Sequence, residues 1–160
     1  MNKDRMDQTP KRGVEHKRLG VFVGKWHTEG DSYAVGQTPK DPRGKVEKWV
    51  SDETVEWMPG QFFIIQHSDG TVGKREVKGI DIFNYDAETE EYTTRAYENH
   101  GYIREYVTRV DGNIWTFTGD TERARVEFTD GGDKQKVFWE WRKPGEAWLP
   151  LCERVASRVG

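Results

Sequence analysis

At 160 residues the chain suits one domain, and folding at this size buries roughly two-thirds of the unfolded surface. The net charge is −3, and Lys and Arg mostly alternate with Asp and Glu, as in Arg104-Glu105 and Glu122-Arg123; a nucleic-acid partner would need a basic stripe, so none is expected. The single cysteine, Cys152, excludes an intrachain disulfide, a Cys-x-x-Cys zinc site and a dithiol pair; no apolar run has signal-peptide length or the ~20 residues of a membrane span, so a cytoplasmic protein without such a span is expected.

Hydrophobic residues are only 34% of the chain, but they are concentrated in seven Trp, six Tyr and seven Phe, which bury much area each and favour strands. Met1 to Arg12 is polar and carries Pro10, which predicts a flexible tail over 1–12 and a single domain over 13–160. Val14 to Val23 supports one or two helical turns stopped by Gly24.

Period-two patterning follows. Trp26 to Val35 is a strand, and the loop after it holds Pro39 and Pro42. Lys45 to Met58 alternates Trp49, Val55 and Trp57 with charges and ends at Pro59-Gly60. Gln61 to Ser68 contains Phe62, Phe63, Ile64 and Ile65 in a row, and Asp69-Gly70 marks a turn. Further strands are expected over Arg75 to Tyr85, Tyr92 to Glu98, Tyr102 to Val110, Asn113 to Thr118, Arg123 to Thr129, Lys134 to Arg142 and Ala147 to Val159. Short connections link them all, and no helix long enough for a parallel crossover intervenes, so the topology is antiparallel and up-and-down.

Gly24-Lys25-Trp26 ahead of the first strand is similar to the Gly-x-Trp signature of the calycins. From His16 to Arg154 the chain resembles the bacterial, lipocalin-like DUF1579 family. Gly24 to Gly30, Glu56 to Gly60 with Phe62-Phe63, Tyr85-Asp86, Asn99-His100-Gly101, Trp115 to Gly119 and Trp148-Leu149-Pro150 carry that resemblance. It implies an all-β, antiparallel, about ten-stranded calycin-like barrel with a short N-terminal helix, and it brings no established activity. Gly24-x-Trp26-x-Thr28-x-Gly30 is also similar to the opening of nitrobindin-like haem barrels, with Thr28 in place of a Gly. That resemblance implies a haem-ligating histidine near the C-terminus. The last strand has none, so no cofactor is expected and haem is the lesser alternative.

Enzyme motifs are missing: there is no Gly-x-Ser-x-Gly elbow, phosphate-cradling loop or dinucleotide fingerprint. His16, His27, His67 and His100 lack metal-ligand spacing, with His16 and His100 expected at the surface. Asp86 to Glu91 lacks the central glycine of a calcium loop and reads as a solvated hairpin turn. Glu29, Asp31, Asp81 and Glu140 are the candidate inward carboxylates, from which a pair could serve a glycosidase. Cys152 reads as a half-buried structural thiol, and Trp26, Trp57 and Trp148 as structural, with Trp26 plugging one end.

The remaining signal is for binding. If Phe83 and Tyr85 face inward, Asp81 does too, and Arg95 across the hairpin would satisfy its charge. His67, Asp81, Arg95, Tyr97, Arg104, Tyr106, Trp115 and Glu140 are the cavity candidates. Together they predict an aromatic cavity with a few convergent polar groups, suited to a small apolar or amphipathic molecule. Two other readings stay open: an enzyme using Asp81, Arg95 and His67 in acid-base chemistry, and a filled barrel acting through a homodimer face. Whether the chain is a monomer or a homodimer is open as well.

Overall fold

The computed structural model describes residues 9–160. Ten strands follow a short helix, α1 (Val14–Arg18), and a 3-10 turn (Leu19–Phe22). They are β1 (Gly24–Ser32), β2 (Glu47–Trp57), β3 (Phe63–Val72), β4 (Arg75–Asp86), β5 (Glu91–Glu98), β6 (Ile103–Asp111), β7 (Ile114–Thr118), β8 (Glu122–Thr129), β9 (Lys134–Trp141) and β10 (Leu149–Arg158). Each pairs antiparallel with its chain neighbours, and β1 pairs with β10, so the sheet closes on itself. Closure leaves no strand edge unpaired, and it gives every strand an inner and an outer face.

The strand pattern agrees with the sequence reading except around Asp69-Gly70. Those residues lie inside β3, where Gly70 sits opposite Ser51. A Cβ on Gly70 would come within 2.4 Å of the Ser51 Cβ, so glycine serves a close strand approach rather than a turn. The turn comes at Gly73, whose φ is 60°.

One end of the barrel is closed by the segment from α1 to Phe22. Leu19 and Phe22 are fully buried, and the Phe22 ring meets those of Phe83, Trp115 and Phe128 edge-on at 5.0–5.2 Å between centroids. His16 is buried too, contrary to the surface position expected of it. Its Nδ1 accepts the Gly13 N–H at 2.9 Å, and its ring lies between Phe62 and Tyr85. Of the expected tail, residues 1–8 lie outside the described residues; Arg12 donates to the Gln61 carbonyl and lies over Trp57.

The Gly24-Lys25-Trp26 opening has a local explanation. Arg158, opposite Trp26 on β10, stacks on the indole at 4.2 Å and donates to the carbonyls of Val21, Val23 and Gly132. Gly24 has φ 136°, and a Cβ there would lie 2.5 Å from the Arg158 guanidinium. Glycine therefore leaves room for the arginine that staples the plug to the wall. Trp26 is 2% exposed, and its Nε1 donates to the Phe22 carbonyl at 2.8 Å.

Candidate functional site

Strand parity decides what faces inward. Trp26, Thr28 and Ser32 of β1, Trp49, Ser51 and Glu53 of β2, and Asp81 and Phe83 of β4 all point to the interior, as do Arg104 and Tyr106 of β6 and Cys152 and Arg154 of β10. Above the plug these faces enclose a cavity of about 670 Å³. Trp26 and Phe22 form its floor, and it reaches the opposite rim, where Arg75, His100 and Tyr102 are exposed. A shallower hollow of about 480 Å³ lies on the outer wall of β5 to β7 among surface side chains such as Glu91 and Arg109.

Three polar groups of residues stand inside. In the first, both oxygens of the buried Glu53 are engaged: Thr28 Oγ1 donates at 2.7 Å and Ser51 Oγ at 2.6 Å, while Trp49 Nε1 donates to Ser51 Oγ at 2.8 Å. In the second, Gln66 Nε2 donates to Asp81 at 3.0 Å. Enclosure of Asp81 by the barrel pushes its carboxyl from the ordinary 3.8 up to about 6, against the hydrogen bond from Gln66 and the attraction of Arg154. In the third, the Tyr106 hydroxyl donates to Glu122 at 2.8 Å, with Arg104 Nε 3.5 Å from the other carboxylate oxygen. Burial, then Glu122, holds the Tyr106 phenol above its usual range, so it remains a donor.

Of the eight residues expected to line the site, Asp81, Arg104 and Tyr106 face the cavity, and Tyr97 touches its rim although its place opposite Ile80 is on the outer face. The other four do not. Asp81 is opposite Ala96, whereas Arg95 is opposite Ile82, so Arg95 belongs to the outer face and pairs there with Glu105 at 3.4 Å. His67 is opposite Ile80 and is exposed on the same outer face. Glu140 alternates with the inward Trp139 and Trp141 and pairs outside with Arg123 at 2.8 Å. Trp115 does face in, but it packs in the closed end against Phe22 and Tyr92. A shift of one residue along a strand reverses the face, and that accounts for Arg95, His67 and Glu140.

Glu29 and Asp31 are likewise outside, because they alternate with Trp26, Thr28 and Ser32. Among the described residues, the carboxylates bordering the cavity are Glu53, Asp81 and Glu122 inside and Glu98 at the rim. Glu53 and Arg154 had a readable signal: period two carried from Trp49 and Val55 reaches Glu53, and carried from Cys152 reaches Arg154. Cys152 is 3% exposed, more deeply set than expected, and burial pushes its thiol up. At the hairpin of Asp86 to Glu91, Asp86 accepts the Glu88 N–H at 2.8 Å in a local turn.

The family described as "protein of unknown function (DUF1579)" matches residues 11–143. The chain belongs to DUF1579. No protein of curated function matches it. The DUF1579 barrel is similar to the crystal structure of Rv2717c from M. tuberculosis, with a TM-score of 0.65 at 10% identity over 94% of this chain and 100% of that one. It is also similar to the S-type phycobiliprotein lyase CPES from Guillardia theta, with a TM-score of 0.57 at 13% identity over 100% of this chain and 99% of that one. At such identities the likeness is one of fold.

Proposed function

We propose that this DUF1579 protein binds a small amphipathic molecule inside its barrel. The observation that carries the reading is the 670 Å³ cavity, within the range of small-molecule sites, with aromatic walls from Trp49, Phe83, Phe117 and Trp139 and a few polar side chains among them. Aromatic walls take up the apolar body, and the inward polar groups orient its head.

The acid-base alternative finds less support, because Arg95 and His67, the intended partners of Asp81, are on the other side of the wall. Haem finds little either. Among the described residues His100 is the one histidine bordering the cavity, and it is at the rim beside Glu98. Imidazole ligation of iron deep in the interior has no donor there.

Native mass spectrometry of protein purified from its own host tests the reading. A bound species of a few hundred daltons, released on denaturation, is the expected result. A native mass equal to that of the bare chain, together with unchanged Trp fluorescence across a panel of lipids and dyes, would refute it.

A further inference from the structure

We propose that the molecule held in the cavity is an organic anion and that Arg154 receives its acid group. The assignment rests on the cavity reading above and adds the charge of the ligand to it.

Arg154 is placed by its neighbours on two strands. It is opposite Gly30 on β1, where a Cβ would stand 2.8 Å from the Arg154 Cγ and closer still to the Glu153 carbonyl. With no side chain at Gly30, the arginine crosses β1 and lays its guanidinium over Trp49 of β2, 4.1 Å from the ring centroid. Stacking holds the plane of the fork and leaves it without a carboxylate in ion-pair contact.

The interior acceptors and donors are unequally used. Glu53 accepts from Thr28 and Ser51, Asp81 from Gln66, and Glu122 from Tyr106. Arg104 Nε makes no hydrogen bond, but it faces the Glu122 carboxylate at 3.5 Å. Among the described residues Arg154 has no carboxylate within 4.0 Å, and its buried Nε has no hydrogen-bond partner. Arg154 is half-buried, with its Nε shielded from water and unpaired, and a carboxylate or sulfonate meeting the guanidinium fork would supply the missing partner. Charge attraction from Asp81 reaches Arg154 but no ion pair forms, so that carboxylate does not fill the place.

A matched pair of dyes tests the assignment: 8-anilino-1-naphthalenesulfonate, an anion, and N-phenyl-1-naphthylamine, the same aromatic skeleton without the sulfonate. Wild type is expected to bind the anion at least tenfold more tightly. Arg154→Met should abolish that preference and leave the neutral dye's affinity within about twofold, whereas Arg154→Lys should keep part of it. Circular dichroism verifies the fold of each variant, and Arg154→Gln serves if the methionine variant does not fold. Equal affinities in wild type, or a preference that survives loss of the arginine, would overturn the anion assignment while leaving cavity binding intact. Failure of wild type to bind either dye would remove the cavity reading and this assignment with it.

Discussion

Asp81 shows how a single side chain records the character of the interior. Its carboxyl is pushed up to about 6 because the barrel encloses it, so between its ordinary 3.8 and about 6 the folded chain holds a proton that the unfolded chain has released. Its contribution to stability therefore falls as pH rises through that window and is level above it. Asp81→Asn keeps an acceptor for Gln66 and removes the charge. The variant should be more stable than wild type at pH 7.5 by at most about 3 kcal/mol, and less to the extent that cavity water solvates the carboxylate. Near pH 4 the two should coincide. Urea denaturation at both pH values measures the difference; a variant less stable than wild type at pH 7.5 would show that the charge is favourably held.

Among the elements, the plug and β1 depend on each other. Phe22 fills the closed end, Trp26 forms the floor above it, and Arg158 ties both to β10. Truncating either aromatic leaves a hole that a closed sheet can fill only by distorting its ladder. Trp26→Ala and Phe22→Ala should each lose about 3–5 kcal/mol in chemical denaturation, without a change in strand content. A midpoint equal to that of wild type would exclude the plug role. The strands themselves were legible, because period-two patterning and Gly-containing turns are local signals. Gly70 was misleading for the opposite reason: its meaning depends on Ser51, a residue on another strand, and Asp-Gly alone does not distinguish a turn from a close approach. His16 was misread similarly, since a helical turn is buried or exposed according to what it packs against.

At the scale of the whole molecule, closure converts alternation into function by sorting every strand into wall and lining. Asp81, Arg104 and Tyr106 were legible as inward because each shares a strand face with an aromatic or with another member of the set. Arg95 and His67 were misplaced because pairing register, which no local pattern states, decides which residue meets which across a hairpin, whereas the outward place of Glu140 follows from its alternation with Trp139 and Trp141. The resulting fold is shared with barrels of 10% and 13% identity, so it does not depend on a particular lining, and the lining is where this chain's own chemistry resides. The direct test of the cavity is to fill it. Ala96 borders the cavity opposite Asp81, and Ala96→Trp would occupy that space from inside the wall. Titration with N-phenyl-1-naphthylamine should give saturable fluorescence with wild type and at least tenfold weaker binding with a folded Ala96→Trp variant; equal binding by the two would place the dye elsewhere and contradict binding inside the barrel.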